Sequence, residues 1–241
     1  MQHLLPDLPT YLPVVFGLTT LLTLGLFYLA LSRTPGYEKQ ARWILLGVLA
    51  WGGIQSILTL NGFYNTNVDA LPPKFPIGVI PPLLFMGVLF ATNWGRRFLD
   101  ALPLKELTWI SVIRIPVEFV LYWLALGEAI PEIMTFAGRN FDIIAGITAP
   151  LVAYFGYQKG QMSKGLLIAW NVLCLGLLLT IVSLAVLALP TSFQQIAMDS
   201  PNVAVINFPY IWLPVVIVPI VMFTHFVSLR QLTRKEVPVA A

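Results

Sequence analysis

Residues 164–189 read KGLLIAWNVLCLGLLLTIVSLAVLAL, and no charged side chain follows Lys164 in this stretch. An α-helix rises about 1.5 Å per residue, so the stretch is long enough to cross about 30 Å of hydrocarbon. The whole chain shares this character, with 58% hydrophobic and 10% charged residues, whereas about a quarter of the residues in soluble domains are charged. The sequence therefore predicts a polytopic membrane protein and excludes a soluble enzyme.

Two further classes are excluded by the same composition. A disordered regulator requires low hydrophobicity, and a disulfide-stapled secreted module requires paired cysteines, but this chain has one cysteine. Residues 1–10 contain Asp7 and neither Lys nor Arg, so we expect a retained first helix and no cleaved secretory signal.

Six more apolar stretches flank residues 164–189, and together they predict an all-α bundle with seven transmembrane helices in a single domain, residues 1–241. The third and fifth are the shortest, and we interpret Pro81, Pro82 and Pro150 within them as kinks. Six spans are the alternative. In chain order, the seven predicted spans are about 11–31, 41–60, 75–92, 104–126, 141–157, 164–189 and 207–229.

The basic residues predict the orientation of this bundle. Of the 14 Lys and Arg residues, only Lys74 and Arg139 fall on one side, and Arg114 lies inside a span. Short cytoplasmic loops are enriched in Lys and Arg, so the amino terminus is predicted outside and the carboxyl terminus in the cytoplasm. The compact chain without sorting signals indicates a bacterial inner membrane. The cytoplasmic set is Arg33, Lys39, Arg42, Arg96, Arg97, Lys105, Lys159, Lys164, Arg230, Arg234 and Lys235.

A short sequence pattern that occurs twice suggests an internal repeat. Phe75-Pro76 is followed by Pro81, and Phe208-Pro209 is followed by Pro214 at the same spacing. If the match reflects homology, spans one to three and five to seven are parallel repeats around a connecting fourth span, as in some small transporters. Chance is the alternative, because the chain contains 19 prolines.

The fourth span carries the strongest functional signal, Arg114 and Glu118. Each lies about nine residues, or about 13 Å, from the nearer end of the span, and therefore near the bilayer centre. Charges at this depth usually face a protein interior or a wet cavity. A spacing of four residues puts both on one helix face, which Tyr122 extends. We expect a binding or proton-handling site here, with a packing clamp as the alternative.

Three more residues are candidates for the same cavity. Asn140 is suited to cap the fifth span and Asp142 to its first turn, while Arg139 and Asp142 could line the outer mouth of a cavity that leads to Arg114. Trp212 could form an aromatic wall at the outer end of the seventh span, although an interfacial tryptophan is the simpler interpretation.

No cofactor or metal is predicted. His225 is the only histidine within a span, so neither a bis-histidine haem nor a zinc site is available, and Cys174 has no partner thiol. A retinal protein is excluded because the seventh span contains no lysine. The basic residues are scattered singly at loop ends, which argues against nucleic-acid binding.

These observations favour an integral membrane carrier or ligand-binding bundle, with a polar cavity open to the outer face and a small-molecule ligand. The alternative is a non-catalytic sensor or assembly subunit that binds a membrane or cytoplasmic protein. An intramembrane enzyme acting on lipid ranks last, since Glu118, Asp142 and His225 are its only candidate acids and bases.

Overall fold

A computed structural model describes residues 3–234, so Lys235 of the basic set lies outside the described residues. The described chain is helical and contains no β-strand. Five helices are long and apolar enough to cross a membrane, as the sequence predicts for the first, second, fourth, sixth and seventh spans. They are α1 (Tyr11–Ser32), α2 (Glu38–Leu60), α5 (Leu104–Leu126), α7 (Lys164–Leu187) and α8 (Leu213–Thr233).

The third predicted span is a bent pair of helices. Helix α3 (Phe75–Ala91) includes Pro81 and Pro82, and α4 (Asn93–Ala101) follows it at an angle of 94°. Thr92 between them has extended backbone, and its hydroxyl accepts a hydrogen bond from Gly95 N at 3.1 Å. Such a side-chain cap starts a new helix. Residues 3–234 thus contain five candidate spans, or six if α3 and α4 together count as one span.

The fifth predicted span is a short helix, α6 (Ile143–Gln158). It contains Pro150, and its backbone is π-helical from Val152 onward. Proline removes a backbone donor from the helix, and such π-segments often occur at functional sites. The start of the seventh span also differs from the prediction. Helix α8 begins at Leu213, whereas the sequence predicts that the span begins at about residue 207.

Ion pairs join several helix ends at one face of the bundle. Arg33 after α1 pairs with Glu106 in α5 at 3.1 Å. Asp100 in α4 accepts from Arg230 at 2.9 Å and from Arg234 at 2.7 Å. Arg33, Arg230 and Arg234 belong to the basic set that the sequence assigns to one side of the bundle, and Glu106 and Asp100 are their acidic partners.

The three longest segments between the described helices, residues 61–74, 127–142 and 188–212, meet at the opposite face. The Asn65 side-chain amide donates to Asn207 Oδ1 at 2.7 Å, and the Val203 N–H donates to the Ala129 carbonyl at 3.0 Å. The segment near His3 joins them, since Asn207 Nδ2 donates to the His3 carbonyl at 2.9 Å. A layer of packed loops therefore covers this end of the bundle.

Candidate functional site

The two charged residues of the fourth predicted span lie in the interior of the bundle. Arg114 is 2% exposed and Glu118 is 1% exposed, so the expectation that both face inward is confirmed. A 3₁₀ turn, Ser111–Ile113, directly precedes Arg114 within α5. A 3₁₀ segment inside a longer helix often marks a hinge or a strained site.

Arg114 pairs across the bundle and not with Glu118. Its Nη1 donates to Asp142 Oδ1 at 2.8 Å and to the Cys174 carbonyl at 3.1 Å, and its Nη2 lies 2.9 Å from His225 Nε2. One guanidinium therefore connects α5 to the start of α6, to α7 and to α8. A buried charge with this many partners is sheltered, whereas the same charge alone in lipid would be costly.

The contacts of His225 fix the position of its proton. Arginine is a donor only, so His225 Nε2 accepts the hydrogen bond from Arg114 and carries no proton. The proton of the neutral ring is then on Nδ1, which donates to Asn171 Oδ1 at 2.9 Å. The amide nitrogen of Asn171 in turn donates to the Leu167 carbonyl at 2.9 Å. This tautomer follows from which side-chain atoms can donate and which can accept a hydrogen bond.

Glu118 is held by the segment that leads into α6. The Asn140 side-chain amide donates to Glu118 Oε1 at 2.5 Å, and Asn140 Oδ1 accepts from the Asp142 N–H at 3.1 Å. The sequence-based expectation of Asn140 as the N-cap of this helix was therefore wrong by two residues. Helix α6 begins at Ile143, so Asp142 occupies the N-cap position, and its carboxylate binds Arg114 and makes no capping hydrogen bond.

The start of α6 lies beside the middle of α5. Asn140 and Asp142 contact Glu118 and Arg114, which are near the centre of Leu104–Leu126. Apart from a 3₁₀ turn at Glu132–Met134, the chain between α5 and α6 is not helical. Irregular backbone at membrane depth is tolerated where protein buries it or where it lines a cavity, and broken helices of this kind form ligand sites in transporters.

A cavity of about 90 Å³ adjoins these charged groups. Its lining includes the side chains of Arg114, Glu118 and Asp142, and its other lining residues are apolar, extending to Phe75 and Val205 near the loop-covered face. Several buried side-chain atoms of the described residues have no hydrogen-bond partner, and two of them, Arg114 Nε and Glu118 Oε2, belong to residues that line this cavity. An apolar pocket with a few convergent polar groups is the usual form of a small-molecule site.

The other sequence-predicted residues lie away from this cavity. Tyr122 stacks on Phe136 with ring centroids 5.0 Å apart, and Arg139 is exposed. Trp212 donates through Nε1 to Ser56 Oγ at 2.9 Å, and so it joins α8 to α2. Of the six candidates, the structure therefore brings together Arg114, Glu118 and Asp142, and it separates Tyr122, Arg139 and Trp212 from them.

Sequence reasoning missed three polar residues of this network. Asn140 was interpreted as a cap, His225 as an isolated histidine, and Asn171 was not among the candidate site residues, yet each binds a group of the site. The available signal was their depth, because a titratable or amide side chain inside a span often has a partner there. No group of three His, Cys, Asp or Glu side chains in residues 3–234 is arranged to hold a metal ion.

Gly146 sets the distance between α6 and α5, one turn after Asp142. A Cβ added there would lie 2.8 Å from Ile115 Cγ1 and 3.1 Å from Ile115 N. We expect Gly146→Ala to move α6 outward, lengthen the Arg114–Asp142 contact and lower the unfolding free energy by about 1–2 kcal/mol. Thermal unfolding in detergent measures the loss. Gly176→Ala is the control, because a Cβ meets nothing within 4 Å there, and an equal loss in both variants would contradict the prediction.

The chain matches a family described as a domain of unknown function, DUF8737, over residues 74–233. This range contains α3 to α8 and the three residues that hydrogen-bond to Arg114 in the described part of the chain, Asp142, Cys174 and His225. No curated protein and no solved structure shows significant similarity to the chain. Because the match covers more than half of the sequence, the chain belongs to the DUF8737 family.

Proposed function

We propose that this protein is an integral membrane carrier or binding protein for a small anionic molecule, which occupies the cavity beside Arg114. The single observation that carries the proposal is the pair of buried atoms without a protein partner on residues that line this cavity, Arg114 Nε and Glu118 Oε2. Unpaired polar groups are costly inside a protein, so a ligand that pairs with them gains specific affinity.

The proposal includes the topology. Helix α6 is the fifth of seven spans, and α3 and α4 together form the third. The single domain spans residues 1–241, with spans one to three and five to seven as parallel repeats. The ion-paired face with Arg33, Arg230 and Arg234 is cytoplasmic, so the amino terminus lies outside, in a bacterial inner membrane. The cavity lining then extends from Arg114 toward the outer face, where Phe75 and Val205 lie.

The charges at the cavity favour an anion that binds together with a proton. Asp142 already neutralises Arg114 through the 2.8 Å ion pair. An additional anion at Arg114 Nε therefore meets the second carboxylate, Glu118, whose Oε2 has no protein partner. A proton on that oxygen removes the repulsion between two like charges and supplies a donor to the ligand. The volume of about 90 Å³ suits a small carboxylate and excludes a drug-sized molecule.

Glu118→Gln tests the proton role, because glutamine keeps the shape of protonated glutamate and cannot titrate. In the unaltered protein, we expect formate, acetate or pyruvate to raise the melting temperature in detergent more in acidic than in alkaline buffer. In Glu118→Gln we expect the stabilisation to persist and to lose this pH dependence. The measurement is thermal unfolding across a buffer series, with chloride at equal ionic strength as the reference anion.

Tyr122→Phe is the matched control, since Tyr122 is in the same helix and does not line the cavity. It should keep both the stabilisation and the pH dependence. If Glu118→Gln keeps the pH dependence, Glu118 is not the proton acceptor. If none of the carboxylates stabilises the unaltered protein, an anion site at this cavity is ruled out for ligands of this class.

A sensor or assembly subunit is the second candidate. It is favoured by the number of protein partners that Arg114 already has, because a guanidinium bound to Asp142, Cys174 and His225 can serve packing alone. Stoichiometric co-purification of a membrane or cytoplasmic protein, without any response to carboxylates, would support this candidate over a carrier. An intramembrane enzyme ranks below both, since Asp142 and His225 are engaged by Arg114.

A further inference from the structure

A second and larger cavity lies on the side of the bundle, between α2, α3 with α4, and α8. Its volume is about 570 Å³. Its lining is apolar except for Gln40, and it includes the indoles of Trp43, Trp51 and Trp94. Trp43 is 63% exposed and Phe85 is 59% exposed, so the cavity opens sideways as a groove on the surface that faces lipid.

Helix α4 forms one end of this groove and has the composition of an interfacial helix. It leaves α3 at 94° and reads NWGRRFLDA. Phe98 and Leu99 are buried, whereas Arg96 and Arg97 are exposed. A short helix with an apolar face toward the bundle and arginines on the other face is suited to the headgroup layer of a bilayer.

Aromatic rings connect α4 to the start of α2 at the same end of the groove. The rings of Trp94 and Phe98 stack with centroids 5.8 Å apart, and Tyr37 packs edge-on against Phe98 at 5.2 Å. One turn further along α2, the guanidinium of Arg42 lies 5.2 Å from the Trp43 ring. The groove therefore ends in a belt of aromatic side chains, as is common at membrane–water interfaces.

Arg42 and Arg97, at this end of the groove, form no ion pair with the described acidic residues. In residues 3–234, the acids of this face bind other cations, since Asp100 pairs with Arg230 and Arg234, and Glu106 pairs with Arg33. No carboxylate lies within 4.0 Å of the Arg42 or Arg97 guanidinium in that range. Arg42 lies over the Trp43 ring and Arg97 precedes Phe98, and both of these aromatic residues line the groove. The two arginines therefore place positive charge beside this end of the groove, where it is available to an anionic group outside the chain.

We infer that this groove is a binding site for one anionic phospholipid, with an acyl chain between α2 and α3 and the phosphate at Arg42 and Arg97. The apolar lining complements the acyl chain, and the unpaired arginines complement the headgroup. This site is separate from the cavity at Arg114, because the two cavities share no lining residue. The inferred phospholipid site therefore does not depend on the proposed carrier function.

Gly47 offers a direct test of the acyl-chain part. It lines the groove, and an added Cβ would meet nothing within 4 Å. Gly47→Phe should fill the groove without a clash. The control is Gly53→Phe in the same helix, where a Cβ is equally free and the residue does not line the groove. We expect native mass spectrometry to show one retained dioleoyl phosphatidylglycerol on the unaltered protein and on Gly53→Phe, and none on Gly47→Phe.

A second pair of variants tests the headgroup part. Each arginine near an anionic lipid surface contributes about fivefold in affinity, so Arg42→Gln with Arg97→Gln should weaken phosphatidylglycerol binding about 25-fold. Binding of dioleoyl phosphatidylcholine should be unchanged. The control replaces Arg139 and Lys159 with glutamine, which removes the same charge from exposed positions outside the groove.

The outcomes are distinguishable. Retention of phosphatidylglycerol by Gly47→Phe would overturn the groove as the site, and equal affinity of the unaltered protein for both lipids would overturn the headgroup assignment. A lipid-free dimer that Gly47→Phe dissociates would assign the groove to a second copy of the chain and overturn the proposal. If Gly47→Phe fails to fold, the smaller Gly47→Leu provides the same comparison.

Discussion

Replacing Arg114 with methionine is expected to lower the free energy of unfolding by about 3–5 kcal/mol, the cost of removing one partner from a buried ion pair. The loss arises because Asp142, itself 5% exposed, keeps its charge without a counterion. The Cys174 carbonyl and His225 Nε2 lose their donor in the same variant. Four segments of the chain meet at this one side chain, so its removal loosens all of them.

Arg33→Met is the matched control for this prediction, because it removes an arginine from an ion pair at the surface. The Arg33 side chain is 56% exposed in its contact with Glu106, and such pairs contribute about 1 kcal/mol or less. Thermal unfolding in detergent should therefore separate the two variants clearly. Similar small losses in both would show that the Arg114 network is not an anchor of the fold.

A double variant separates the ion pair from simple misfolding. Arg114→Met combined with Asp142→Leu removes both charges and fills similar volume with apolar atoms. Replacing a complete buried ion pair in this way is often neutral or stabilising. We expect the double variant to recover most of the stability that Arg114→Met loses, while the response to small carboxylates stays absent. Recovery of that response would exclude Arg114 from ligand binding.

Hydropathy was sufficient to predict the long helices. The fourth predicted span, 104–126, has the same bounds as α5, and the first and second differ from α1 and α2 by three residues or fewer at each end. Helix α4 was not predicted, because Arg96, Arg97 and Asp100 make it resemble a loop in a hydropathy window. The late start of α8 at Leu213 was also missed, since residues 208–212 are apolar and yet belong to the loop-covered face.

Depth along a helix predicted part of the site. Arg114 and Glu118 could be found because few charges tolerate the centre of a span. The pairing of Arg114 with Asp142 and His225 could not be predicted, because these residues come from other segments, and one sequence does not show how the segments are rotated toward each other. Tyr122 was assigned to the same helix face by spacing alone, but its ring stacks on the ring of Phe136.

Gly95→Ala is expected to cost about 3 kcal/mol and to release α4 from α3, the second-largest effect that we predict. Gly95 lies at the bend between the two helices, and a Cβ there would lie 2.6 Å from Leu89 Cα and closer still to the Leu89 carbonyl oxygen. Both contacts are to backbone, which cannot rotate away as a side chain can. The two helices must therefore separate before any residue larger than glycine fits.

Two measurements follow the release of α4. Thermal unfolding gives the loss of stability, and trypsin should cleave after Arg97 faster once α4 no longer packs on α3. Gly87→Ala in α3 is the control, because a Cβ meets nothing within 4 Å there, and alanine should leave stability unchanged or raise it by up to about 1 kcal/mol. Suppose instead that Gly95→Ala melts and is cleaved like the unaltered protein. The 94° bend would then be set by the amphipathic character of α4 at the membrane surface and by the Asp100 ion pairs, and not by the close approach of two backbones.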